Sequence, residues 1–318
     1  MTSEILRRRI AMGAVTAIAA AGLSSAAYQE AAAARDRRRF PAPGRLVGIG
    51  GRRLHLLEAG EGSPAVVVVP ALGDSAVAWE RIQQSLAPEV HVCLYDRAGI
   101  GWSDPPRRGR RTASGMAGDL HALLTAAGIQ PPYILVGHSI GGIIARRFAA
   151  GHPDLVAGMV LVDSSHEQQT RRLNGRSRLL QRAAQRRLRI LGVRRAAAAF
   201  GLVHQLDADV AREVLPERAA GYRAALLSSR QRRAVIREML WMSTLDEPPP
   251  DLGSLPLTVI TAGEHPTEGW EQLQDELAAL STSSNHITAE GSGHYVHLDD
   301  PELVVQAIRD LVRRIASS

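Results

Sequence analysis

Val136-Gly137-His138-Ser139-Ile140-Gly141-Gly142 is the stretch on which the fold turns. The residues before it, from Tyr133, form a β-rich apolar run, and those after it carry a helical pattern to about Ala150. A G-x-S-x-G placed between a strand and a helix has a mechanical meaning. Reversing from strand to helix within one residue forces the serine into a strained backbone geometry. Neighbouring main chain then passes close by, so Gly137 and Gly141 must lack side chains. The Ser139 hydroxyl is left at the carboxyl end of the sheet, where open α/β sheets bind their ligands. The positive N-terminal end of the following helix favours an anion at the same place. Ser139 is therefore the candidate nucleophile.

Working outward, Leu46 to Ile49 and Leu54 to Glu58 read as strands around Gly50-Gly51, and Ala65 to Val69 as a strand buried on both faces. Helix follows from Val77 to Leu86, strand from Val90 to Tyr95, and helix from Ala113 to Ala126. Leu155 to Val162 carries the next strand. Alternation of this kind implies right-handed crossovers and a mostly parallel sheet flanked by helices. From Ser165 to Pro250 it stops, and the pattern is helical and Arg-rich until Pro248-Pro249-Pro250. It resumes with strands at Leu257 to Thr261 and Asn285 to Ala289, and helices at Trp270 to Leu280 and Pro301 to Ile315. The expectation is an eight-stranded α/β body over 44–164 and 251–318, with a helical cap over 165–250 inserted between the sixth and seventh strands.

The N-terminal 43 residues differ in kind. Arg7, Arg8 and Arg9 precede an Ala-rich apolar run from Ile10 to about Ala27, and further arginines follow. A charged start, an apolar middle and small residues resemble a secretory signal. The same run at 1.5 Å per residue also just crosses a bilayer. A retained membrane anchor is the first expectation and a cleaved signal the second, with residues 28–43 as a linker ended by Pro41 and Pro43.

Gly291-Ser292-Gly293-His294 lies between the last strand and the last helix. A loop there delivers an imidazole to the end of the sheet, so His294 is the expected base, with His297 its nearest competitor. The carboxylate that orients such a histidine has two candidates. Asp163 closes the sixth strand in Val160-Leu161-Val162-Asp163-Ser164 and is favoured; Glu264, in Ala262-Gly263-Glu264-His265, is the rival. One oxyanion donor is expected from the backbone N–H of Ile140, and the other from the loop after the first long strand, at Leu72.

These residues carry a family resemblance. With Tyr95-Asp96-Arg97-Ala98-Gly99-Ile100-Gly101-Trp102-Ser103 added, the chain from about Arg45 to Ile315 resembles α/β-hydrolase fold proteins of the proline iminopeptidase and esterase type. The resemblance implies a serine hydrolase with Ser139, Asp163 and His294 in the family's Ser–acid–His chain order. Two departures stand out. Pro70-Ala71 occupies the place of the usual His-Gly, which makes Leu72 a positional assignment, and the usual Asp after the seventh strand is missing.

The expected reaction is cleavage of an ester or related acyl bond in a small molecule through an acyl-enzyme. A proline iminopeptidase-like aminopeptidase, with Glu167 as partner for a substrate ammonium, is the first alternative. A cofactor-free haloperoxidase or C–C hydrolase is the next, and a non-catalytic small-molecule binding protein the last. Composition excludes several classes. All 38 basic side chains are Arg, so no lysine can form a Schiff base. The single Cys93 permits no intrachain disulfide. No H-E-x-x-H or similar spacing marks a catalytic metal, and no cofactor is expected. The cap holds 17 Arg against 8 acidic residues, a net +9 within a chain of net +6. A solvated arginine face accounts for that excess, with anionic lipid or an acidic substrate as the alternative. With three aromatic residues in the cap and no recognition motif, nucleic-acid binding is not expected.

Overall fold

The structure, a computed structural model, describes residues 27–106, 109, 111–173 and 212–317. Eight strands form one sheet: β1 (Arg45–Gly48), β2 (Arg53–Ala59), β3 (Ala65–Val69), β4 (Val92–Tyr95), β5 (Tyr133–His138), β6 (Val156–Val162), β7 (Leu257–Ala262) and β8 (Ser284–Ala289). Their order is β1-β2-β4-β3-β5-β6-β7-β8. The β1–β2 and β2–β4 pairs are antiparallel, and all others are parallel. The eight-stranded, mostly parallel α/β-hydrolase fold expected from the sequence is what is found.

Helices α1 (27–39), α2 (Glu80–Leu86), α3 (Ala113–Ala127), α4 (Ile140–Gly151), α5 (Gln169–Arg172), α6 (Pro216–Leu226), α7 (Ser229–Met242), α8 (Trp270–Ala278), α9 (Val296–Asp299) and α10 (Pro301–Ala316) complete the described elements. The central strands β3 to β7 are mostly apolar and buried at nearly every position because both faces are covered. Val67, Val69, Leu135 and Leu161 face a layer built from Leu120 and Leu123 of α3 and Ile143 and Phe148 of α4. Their neighbours Val66, Val68, Val136 and Val160 face Trp79, Ile82 of α2 and Ile308 and Leu311 of α10. Helix ends follow local chemistry. Thr112 accepts the Gly115 N–H at the start of α3, and Gly128 closes it at φ 76°. Asp300 caps α10 by accepting the Leu303 N–H, and Pro301 follows at the first helical position.

Between β6 and β7 the described residues hold α5, α6, α7, a helical stretch at 212–213 and no strand, while 174–211 of the expected cap lie outside the described residues. The linker expected over 28–43 is corrected over most of its length, since 27–39 is helical. Ala32 and Ala33 are buried, Gln29 donates to the Leu227 carbonyl at the end of α6 (2.6 Å), and Trp102 Nε1 donates to the Phe40 carbonyl (3.0 Å). Small residues at helical spacing let α1 lie against the cap, and Pro41 and Pro43 mark where it has ended. The apolar run 10–26 lies outside the described residues. Among those described, no helix is long and apolar enough to cross a membrane.

Candidate active site

The β5–α4 turn does what its sequence requires. Ser139 has φ 52° and ψ −123°, a conformation rare outside glycine. It is held there by its own carbonyl, which accepts from the N–H groups of Gly142 (3.1 Å) and Ser165 (2.9 Å) and from the Ser164 hydroxyl (3.3 Å). A Cβ on Gly137 would stand 2.5 Å from the Gly142 Cα, and one on Gly141 would collide with the Val69 carbonyl. The elbow glycines are steric necessities.

Asp163, at the tip of β6, also has a positive φ, 38°. It turns its carboxylate across the ends of the strands. Oδ1 accepts from the Ala262 N–H (3.1 Å) and from Trp270 Nε1 (2.7 Å), and Oδ2 meets His294 Nδ1 at 2.5 Å. His294 is about one-third exposed on its side chain, whereas Asp163 is fully buried. Glu264 is exposed on the β7–α8 loop, and its backbone N–H bonds to the Ser292 carbonyl. The carboxylate paired with His294 is thus that of Asp163. A buried acid with both oxygens occupied presents one ring nitrogen of His294 to the cavity and fixes the tautomer.

Ser139, His294, Leu72 and Ile140 line one cavity of about 380 Å³. Ile140 opens α4, so its N–H has no partner within the helix. Leu72 belongs to the loop after β3, which is held by side chains from elsewhere. Arg97 donates to the carbonyls of Pro70 (2.5 Å) and Ala71 (2.7 Å), and Gln231 of α7 donates to that of Gly73 (2.9 Å). Glu238 of α7 binds Arg97 through both oxygens (3.1 and 2.9 Å) and also Arg111 (2.6 Å), all three buried. Burial opposes the Glu238 charge, but the two guanidiniums hold its carboxyl below the usual range.

His297, the rival base, faces the core instead. It stacks on Trp79 at 4.1 Å, and burial, with help from His294 and Arg212, pushes its pKa down to about 3. Glu167, proposed to greet a substrate ammonium, is buried and bound through both oxygens to Arg146 (3.2 and 2.9 Å), which corrects that expectation. Some arginines of the described cap form more exposed ion pairs: Arg172 meets Glu276, Arg218 meets Glu80 and Arg171 meets Asp246.

Several site residues escaped sequence reasoning. Ser165 Oγ lies 3.5 Å from Ser139 Oγ. His265 stacks on Trp270 (4.1 Å) with Nε2 3.8 Å from Asp163, and Met242 and Leu173 supply apolar wall from the cap side. The Gly-Glu-His after β7 was the available signal for His265, since loops at that sheet edge converge on the site. Among the described residues, the ionisable groups lining the cavity are His265, His294 and Tyr295. Asp163, His265 and His294 also form a possible metal cluster, but Asp163 Oδ2 and His294 Nδ1 are already spent on each other.

Comparison with known proteins agrees with the fold. The profile described as "alpha/beta hydrolase fold" matches residues 64–301. An AB hydrolase superfamily protein of Gibberella zeae is 30% identical over 273 residues, covering 74% of this chain and 82% of its own. An esterase from Thermogutta terrifontis superposes with TM-score 0.62 at 23% identity, over 85% of this chain and 97% of its own. An enol-lactonase from Burkholderia xenovorans LB400 superposes with TM-score 0.66 at 19% identity, over 85% of this chain and all of its own. At such identities these two structures testify to the fold alone. The profile and the Gibberella relative, each spanning most of the sequence, go further: the chain belongs to the α/β hydrolase fold family.

Proposed function

We propose that the chain is a serine hydrolase that cleaves an ester or related acyl bond of a small molecule, with Ser139 as nucleophile, His294 as general base and Asp163 as orienting acid. The observation that carries this reading is the Asp163–His294 pair, 2.5 Å apart, opening on the same cavity as a serine at φ 52°. In the reaction, the free ring nitrogen of His294 takes the Ser139 proton as the oxygen attacks the carbonyl. The N–H groups of Leu72 and Ile140 receive the developing oxyanion. His294 returns the proton to the leaving alcohol, and a water activated by the same ring releases the acid. Asp163 stays ionised and stabilises the imidazolium.

An ester suits the cavity better than an aminopeptide. An ammonium needs a carboxylate, none lines the cavity among the described residues, and Glu167 is committed to Arg146. Labelling with a fluorophosphonate, followed by a panel of short- and medium-chain esters and amides, tests the reading. Wild type should be labelled and should turn over esters, and Ser139→Ala should do neither. Labelling of Ser139→Ala equal to wild type refutes the assignment. Labelling of wild type with turnover of amides but no ester redirects it to the peptidase. An anchor or cleaved signal over 10–27 belongs to the same reading, on the strength of the Arg-flanked apolar run, and N-terminal sequencing of the mature chain distinguishes the two.

A further inference from the structure

Beneath the cavity lies a second cluster that the proposed reaction does not use. Asp74, His138 and His297 are buried, and each offers a ligand atom within 4.8 Å of the other two. Three points with that spacing always admit a centre within about 2.8 Å of each, so inward movements of under about 0.8 Å reach the 2.0–2.1 Å typical of Zn–N bonds.

The state of the donors is specific. His138 Nε2 lies 2.8 Å from the His294 carbonyl, which can only accept, so the proton sits on Nε2 and Nδ1 bears a lone pair. Nδ1 has no protein partner. A ring nitrogen with a lone pair, its other N–H anchored on a backbone carbonyl, is the usual posture of a metal-ligating histidine. Both ring nitrogens of His297 are likewise buried and without a protein partner. Asp74 is held by the Ser75 N–H (2.8 Å) and Trp79 Nε1 (3.3 Å).

We propose that Asp74, His138 and His297 form a binding site for one divalent transition-metal ion of the zinc or cobalt type. Two imidazoles and a carboxylate suit these borderline ions better than magnesium or calcium, which prefer all-oxygen shells. The role is structural. Asp74 is two residues from Leu72, His138 adjoins Ser139, and His297 is three residues from His294. One ion therefore fastens together the three segments that present the proposed oxyanion donor, nucleophile and base.

The test uses the purified full chain, stripped with a chelator and titrated with Co2+ as the probe while its visible ligand-field absorption is followed. One saturable equivalent is expected, displaced by Zn2+. Folded His297→Gln and Asp74→Asn should bind at least tenfold more weakly, whereas His265→Gln should bind as wild type does. No saturable binding by wild type, equal binding by His297→Gln and Asp74→Asn, or loss confined to His265→Gln would each overturn the proposal. If circular dichroism shows that neither ligand variant folds, X-ray absorption of the Co2+-loaded wild type and His265→Gln decides. Two imidazoles in both sustain the site, and fewer than two in either overturns it.

Discussion

The two walls of the cavity are held by different physics. On the body side, Ser139 and Asp163 sit at strand tips with φ of 52° and 38°, fixed by main-chain bonds to β6 and β7. On the cap side, α7 is fixed by a buried charge network to Arg97 and Arg111, and α5 is tied by exposed ion pairs. Backbone geometry tolerates little adjustment, which suits groups that must meet within a few tenths of an ångström. Side-chain charges permit variation in length and direction, which suits the wall that decides what enters.

Substitutions can break that comparison, beginning with the body. Asp163→Asn should lower kcat by about 10^4, because the histidine loses the partner that fixes its tautomer, while Glu264→Gln stays within about twofold. A loss confined to Glu264→Gln would transfer the acid's role to the other loop. Next is the network under α7. Glu238→Gln leaves two buried guanidiniums short of a counter-charge and should cost about 3–5 kcal/mol in urea unfolding. A cost below about 1 kcal/mol would show that the cap is not fastened there.

A smaller, pH-dependent effect comes from His55, whose Nδ1 lies 2.7 Å from Asp96 in the core. Burial opposes its charge, but Asp96, with the Pro43 carbonyl and Glu80, raises its pKa above 6.5. The sign follows: the pair's contribution is complete below 6.5 and fades as pH rises through the folded-state value. The melting-temperature advantage of wild type over His55→Asn should shrink between pH 6 and 9, and a growing advantage would contradict the assignment. Last, Arg171→Ala removes an exposed pair with Asp246 and should change stability by about 0.5 kcal/mol or less. A larger loss would place α5 on the same footing as α7.

What was legible in the chain divides along similar lines. Strands β3 to β7 are mostly apolar runs bounded by turn residues, and the turn at Ser139 is specified by three local choices at 137, 139 and 141, so both could be read from neighbours alone. The competition between Asp163 and Glu264 could not be decided that way. It depends on Trp270 Nε1 and the Ala262 N–H, which are 107 and 99 residues from Asp163 and hold one carboxylate oxygen while His294 takes the other. Arg97 was legible as part of a glycine-rich loop but not as the support of the Leu72 loop, since its acid lies 141 residues away. Helix α1 was obscured by the arginines that follow the apolar run, because composition there spoke for a linker while Ala32 and Ala33 packed inward.

The Arg97 guanidinium has a consequence for chimaeras. It bridges the Leu72 loop and the one acid that α7 supplies, so a foreign cap spliced onto this body inherits a stranded cation unless its own helix brings a carboxylate to the same spot. Lid exchange in this scaffold is therefore constrained first by electrical neutrality and only then by fit to a new substrate.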